Sequence, residues 1–172
     1  DKRVGYTSSY PAGVRENGGQ YTHAAAWLAI ALFEAGRPED GTRVLRLLNT
    51  IAKYTDGLGE KYRGEPYALA GDVYANPACP GRVGWSQYTG AAGWMYTAVL
   101  RHLLGLRPRG NAMDLQPCLP VGWPGYSLKI TLLNTPLSIT VAREEAKGLT
   151  VDGKEAQEVP LDGKRHKVHL NV

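Results

Sequence analysis

The apolar period of this chain changes once, near residue 108, and nothing else in its 172 residues constrains the fold as strongly. Before that point apolar residues recur at helical spacing. After it they alternate, as in Tyr126, Leu128, Ile130 and Leu132, then Leu137, Ile139 and Val141, then Val168, Leu170 and Val172. A period of two means strands with one buried face, whereas a period near 3.6 means helices. The change therefore predicts an α+β chain with its helices and strands segregated, divided at Arg107-Pro108-Arg109-Gly110 into residues 1–107 and 108–172.

In the first part, Thr22 to Gly36 reads as a helix. Thr22 is placed to cap it and Gly36 to end it in the left-handed conformation. It is apolar almost all round, which predicts burial on most sides. Pro38 to Tyr54 reads as a second helix, with Val44, Leu45, Leu47, Leu48, Ile51 and Ala52 on one stripe. The short link between the two predicts antiparallel neighbours. Glu65 to Tyr74 reads as a third helix weakened by Gly71, and Ala91 to Leu106 as a fourth. In the second part the strands are expected to be short and antiparallel, in a β-sandwich or jelly roll. Asp152-Gly153 and Asp162-Gly163 are expected hairpin turns.

Composition removes several classes of function. The 21 glycines and 11 prolines show no Gly-X-Y period, which excludes collagen. A 43% hydrophobic content is enough to build a core and excludes a disordered chain. The formal charge of +4 is modest, and its main cluster, Lys164-Arg165-His166-Lys167, reads as a solvated strand face. A basic stripe interleaved with exposed aromatics is missing, so no nucleic-acid partner is expected. Cys79 and Cys118 stand alone, and the four histidines do not share ligand spacing, so no metal is expected. No apolar run reaches the ~18–20 residues of a membrane span, so no membrane contact is expected from this segment. The opening Asp1-Lys2-Arg3 has neither an initiator Met nor a leader pattern, as expected of a piece of a larger protein.

Three stretches carry polar chemistry. Arg15-Glu16-Asn17-Gly18-Gly19-Gln20-Tyr21-Thr22-His23 gathers hydrogen-bonding groups around a Gly pair and leads them into an apolar helix. Buried polar groups are costly when unpaired, and a ligand rich in hydroxyls would pair them. In Tyr88-Thr89-Gly90-Ala91-Ala92-Gly93-Trp94, small residues open a helix whose first N–H groups lack intrahelical partners, an arrangement suited to an anion. Taken alone, His23 reads more simply as a satisfied core histidine, and Thr89 as an N-cap. Thirdly, Tyr6, Tyr10, Tyr21, Tyr67, Trp85, Tyr88 and Trp94 lie near these loops, and their flat faces with polar edges suit sugar rings.

Together, YPAGVRENGGQYTHAAAW, EPYALAGDVYANP, GWSQYTGAAGWMY and LQPCLPVGWPGYSLKI resemble the C-terminal part of glycoside hydrolase family 94. These are inverting phosphorylases of β-linked glucosides, and the family includes the phosphorylase-like domain of cyclic β-1,2-glucan synthases. The resemblance weakens after about residue 140. It implies the last helices of an (α/α)6 barrel followed by a jelly roll. Four helices from a ring of about twelve would leave an apolar surface on the Thr22–Gly36 helix.

The resemblance also implies roles. His23, Thr89 and Gly90 would hold inorganic phosphate, the co-substrate, with no cofactor. Tyr10, Arg15 and Glu16 would contact the β-glucan or oligosaccharide, and Asp72 would be structural. The general acid would lie upstream, so no catalytic residue is expected in this chain, and the remainder of the parent would be its partner. The segment would be cytoplasmic, and a synthase parent would be attached to the inner membrane through other segments. The competing expectation is a non-catalytic carbohydrate-binding or structural module.

Overall fold

The computed structural model describes residues 4–87 and 89–172, in two compact units that meet at Ala98 and Val99. The first unit is mainly helical and the second is made mostly of strands, so the chain is α+β.

In the first unit, a 3-10 turn at Gly5–Ser9 precedes a tight loop and strand β1, Gln20–Tyr21. Helix α1, Thr22–Glu34, follows directly. Thr22 is its first helical residue, not its cap. The Thr22 N–H is satisfied at 3.0 Å by the Gly71 carbonyl instead of by a side chain. Gly36 has φ +67°, the left-handed turn the sequence predicts after this helix. The all-round apolar character of α1 does not bury it on most sides. Ala26, Ala29 and Phe33 are buried, but Trp27 and Leu28 remain 52% and 53% exposed.

The expected second helix is two helices, α2 at Pro38–Leu48 and α3 at Thr50–Thr55. Asn49 breaks the run in an extended conformation, and its side-chain oxygen caps α3 by accepting the Ile51 N–H at 3.0 Å. Helix α2 packs along α1. Gly41 lets them approach, since a Cβ there would sit 2.7 Å from the Phe33 ring. A single-turn α4, Gly59–Tyr62, follows.

The expected helix over Glu65–Tyr74 is absent. That stretch is a turn leading into strand β2, Asp72–Val73, antiparallel to β1 with Tyr21 opposite Asp72. The segment 83–86 lies on the other side of β2 through bridges Val73↔Val83 and Ala70↔Ser86. Tyr62, Ala70 and Val83 form a small buried cluster beside it, with Val73 packed against them. Helix α5, Thr89–Thr97, packs on α1. It starts two residues before the expected Ala91 and passes into a π-helical turn, Ala98–Leu103.

The second unit holds a three-stranded sheet, β3 (Leu106–Arg109), β4 (Ala112–Leu115) and β9 (Val159–Pro160), in the order β3-β4-β9. A five-stranded sheet runs β5-β6-β10-β7-β8. Its strands are β5 (Gly125–Leu132), β6 (Thr135–Ala142), β7 (Gly148–Val151), β8 (Lys154–Ala156) and β10 (His166–Asn171). The alternation in the sequence marks the buried face: Leu137, Ile139 and Val141 of β6 and Val168 of β10 are at most 2% exposed.

The strands are not all antiparallel, because β10 runs parallel to β6. Asp152-Gly153 is the hairpin turn the sequence predicts, at φ +51° and +79° between β7 and β8. Asp162-Gly163 is not a hairpin, because β9 and β10 belong to different sheets. The basic cluster at 164–167 is partly neutralised: Asp162 pairs with Lys164 and with His166. Cys79 and Cys118 are not joined in a disulfide. Among the described residues no helix is long and apolar enough to cross a membrane.

Candidate functional site

The three-segment ladder of β1, β2 and residues 83–86 positions both predicted groups. Strand β1 delivers His23 into the first turn of α1, half-buried. The 83–86 segment delivers Thr89 and Gly90 at the start of α5, where both are exposed.

The structure brings His23 and Gly90 together. A Cβ built on Gly90 would lie 2.7 Å from His23 Nε2, closer than any real side-chain carbon is tolerated. Any larger residue at 90 would therefore have to displace the imidazole, although the φ of Gly90 is not left-handed. The His23 ring stands edge-on to Trp27 at 6.4 Å between centroids, and Trp27 to Trp94 at 5.4 Å. This aromatic run joins α1 to α5 beside the imidazole. The first-turn N–H groups of α5 therefore open next to a ring nitrogen, a set of donors suited to an anion. Tyr88, the first residue of the YTG motif, lies outside the described residues.

Tyr10, Arg15 and Glu16 form a second group. The Arg15 guanidinium carbon lies 4.7 Å from the centroid of the Trp85 ring and 5.5 Å from that of Tyr10. Its Nε is 3.7 Å from Glu16 Oε2. Arg15 has φ +48°, a left-handed conformation costly for a side chain of its kind. The loop imposes that conformation. Gly19 N–H donates to the Arg15 carbonyl at 2.8 Å, Gly13 N–H to Asn17 at 2.7 Å, and the Asn17 amide to the Tyr10 carbonyl at 2.8 Å. A Cβ on Gly13 would fall 2.3 Å from the Asn76 backbone, so this loop closes against the residues after β2.

The backbone N–H at Glu16, followed by the Tyr21 hydroxyl and then Arg15, holds the Glu16 carboxyl below its ordinary value. Burial, and then Glu16, push the Tyr21 phenol up. Tyr21 is a neighbour of Glu16 that sequence reasoning leaves among the general aromatics, and its buried hydroxyl has no hydrogen-bond partner among the described residues. Its position on β1, two residues before His23, is the available signal. Trp85 is likewise an aromatic in the sequence and the Arg15 platform in the structure.

An apolar cavity of about 510 Å³ opens elsewhere in this unit, lined in part by Leu28, Val44, Leu47, Tyr62 and Val73. None of the predicted site residues lines it. Among the described residues no group of three or more His, Cys, Asp or Glu side chains is placed to hold a metal ion.

This pairing of a histidine and a helix start beside a strained polar loop sits within a stretch of known kind. Residues 1–105 match the glycosyl hydrolase 94 superfamily catalytic domain, and residues 106–168 match the C-terminal domain of glycosyl hydrolase family 65. The chain belongs to the glycosyl hydrolase 94 superfamily.

It is 45% identical over 145 residues, 84% of its length, to the cyclic beta-(1,2)-glucan synthase NdvB of Rhizobium meliloti (strain 1021), but covers 5% of that protein. It is 32% identical over 182 residues to the solabiose phosphorylase of Paenibacillus borealis, an alignment covering 98% of this chain and 23% of the relative. It is 26% identical over 161 residues to the N,N'-diacetylchitobiose phosphorylase of Vibrio proteolyticus, covering 90% of this chain and 20% of the relative. The chain thus spans less than a quarter of the length of each of these proteins.

Proposed function

We propose that this chain is the phosphate-binding portion of an inverting β-glucoside phosphorylase, within a cyclic β-1,2-glucan synthase or a β-1,2-oligoglucan phosphorylase. The observation that carries the reading is the approach of His23 Nε2 to Gly90 at the start of α5. On this reading the helices of the first unit are the last part of an (α/α)6 barrel. The strands from about residue 108 are a jelly roll.

Inversion explains why such a cradle is useful. A carboxylic acid protonates the glycosidic oxygen while a nucleophile attacks the anomeric carbon from the opposite face. In a hydrolase a second carboxylate must activate water. Phosphate is already an anion and needs no base, only donors that hold it in line. The C–O bond to the leaving sugar breaks as the C–O bond to phosphate forms, giving α-glucose 1-phosphate and a shortened glucan. His23, the Thr89 hydroxyl and the Gly90 N–H supply the donors. Tyr10, Arg15 and Glu16 contact the sugar. The acid belongs to another part of the parent, and no cofactor is needed. The segment is cytoplasmic, and a synthase parent is held at the inner membrane by other segments.

The test is made in the full-length parent. His23→Ala and Thr89→Val should each raise KM for phosphate while leaving KM for the glucan within about threefold. Because general acid catalysis is worth ~10²–10⁴-fold, the isolated 172-residue chain should release no glucose 1-phosphate above background. Unchanged phosphate KM in both variants would sink the cradle. Binding of glucan but never of phosphate would favour a carbohydrate-binding module.

A further inference from the structure

We infer that Asp72 is the positioning residue that sets the spacing between the His23 segment and the Thr89-Gly90 segment, an inference that rests on the phosphorylase reading above. Asp72 lies in the middle of the three-segment ladder and is 1% exposed. On one side its strand pairs with β1, and the adjoining Gly71 carbonyl accepts the Thr22 N–H, which fixes the residue before His23. On the other side its backbone carbonyl accepts the Gly84 N–H at 2.9 Å, and its carboxylate Oδ1 accepts the Trp85 N–H at 3.2 Å. The chain then runs four residues from Trp85 to Thr89. The backbone at Asp72 thus ties β2 to both approaches to the cradle, and its side chain holds Trp85, on which Arg15 is stacked.

The chemistry of the position argues against simple filling. A buried carboxylate is expensive, and an apolar residue of similar size would cost less. Its Oδ2 is buried with no hydrogen-bond partner among the described residues, so the cost is not fully offset locally. What a carboxylate supplies and an apolar side chain cannot is a directed acceptor for the Trp85 N–H. The neighbour has been shaped to admit it. A Cβ on Gly84 would clash with both carboxylate oxygens, 2.8 Å from Oδ2 and closer still to Oδ1.

The experiment uses the full-length parent. Asp72→Ala should raise KM for both phosphate and glucan, each on the order of tenfold or more, because the displacement reaches both halves of the site. Asp72→Asn keeps an oxygen acceptor and should hold both constants within about threefold of the parent. Gly84→Ala should reproduce the rise by displacing the carboxylate. A residue of purely structural value would lower the amount of active enzyme and leave both constants unchanged, and that result overturns the inference. So does an Asp72→Asn variant that behaves like Asp72→Ala.

If Asp72→Ala does not fold, amide exchange in the unaltered protein decides. The Trp85 N–H should be protected at the level of β2, and exchange as fast as an open loop amide rejects the assignment. His23→Ala separates this inference from the reading beneath it. If that variant leaves phosphate KM unchanged, the cradle fails, whereas the effect of Asp72 on glucan KM still scores the positioning role.

Discussion

The two units carry backbone strain for different reasons. In the second unit the non-glycine residues with positive φ are Leu133, Asn134 and Asp152. All three sit in two-residue turns between paired antiparallel strands, where the right-handed twist of the strands asks for positive φ. In the first unit they are Arg15, Arg63 and Gln87. Arg63 ends α4 as its left-handed cap, and Arg15 lies in the two-residue turn closed by the antiparallel bridge between Val14 and Asn17. Arg15 is the stacked cation of the polar loop, and Gln87 lies two residues before Thr89. In the second unit all of this strain is hairpin chemistry, whereas in the first two of the three residues, Arg15 and Gln87, lie beside the candidate site, where a fold tolerates strain in exchange for placement.

Apolar burial divides the same way. The second unit covers Leu106, Met113, Leu137, Ile139, Val141 and Val159, whereas the first leaves Trp27, Leu28, Leu47 and Ile51 more than half exposed. The largest effect should therefore be a core truncation in the second unit. Leu137→Ala removes a side chain 2% exposed and should cost about 2–5 kcal/mol in denaturant unfolding. Leu47→Ala, at a position 57% exposed, should cost no more than about 0.5 kcal/mol. Comparable losses at the two positions would show that the exposed face of α2 is covered in solution.

The same contrast decides what was legible in the sequence. Alternation is strong wherever one sheet face is buried, so Gly125–Leu132, Thr135–Ala142 and His166–Asn171 lie where the pattern places them. The parallel pairing of β10 with β6 has no local signature, because it depends on a connection through the other sheet. Glu65–Tyr74 carries helical spacing, yet Gly71 weakens the helix. Pairing with β1, about fifty residues earlier, satisfies its backbone instead. At the site, the motifs mark His23, Thr89 and Gly90. No spacing rule shows that an imidazole lies against Gly90.

The next effect sharpens the comparison of strain. Leu133 has φ +45° and is 64% exposed, so Leu133→Gly removes a left-handed penalty and little packing. It should stabilise the protein by about 0.5–1 kcal/mol, read as a higher denaturation midpoint. Gln87→Gly relieves the same kind of strain at φ +60°. If that strain serves placement, the gain in stability should be similar but KM for phosphate in the full-length parent should rise. A Gln87→Gly variant with unaltered kinetics would show that the first unit's strain is as incidental as the second's.

The smallest effect concerns pH, and it tests whether the second unit holds its turns by charge as well as by twist. His166 Nδ1 lies 2.7 Å from Asp152 Oδ2, and its Nε2 lies 2.9 Å from Asp162 Oδ1. Carboxylates only accept, so both contacts are hydrogen bonds only when both ring nitrogens carry protons, which favours the imidazolium. Asp152, then Asp162, raise His166 above its ordinary value against the effect of burial. The Lys167 N–H, then His166, lower Asp152. His166, then the Lys164 N–H, lower Asp162 to about 2. Lys164 Nζ also lies 3.6 Å from Asp162 Oδ2.

A raised histidine contributes stability that is complete below the ordinary value of 6.5 and is lost as pH climbs through the folded value. The lowered aspartates contribute stability that is complete above their ordinary 3.8 and is lost as pH falls toward the folded values. Melting temperature should therefore be flat between those two ordinary values and decline on both sides. His166→Gln should remove most of the alkaline decline. Because Asp152 and Asp162 face solvent, the change should be modest and should shrink as salt is added. A melting temperature that instead rises from pH 6 to pH 8 would mean that the ring is not held as a cation, and that twist alone sets these turns.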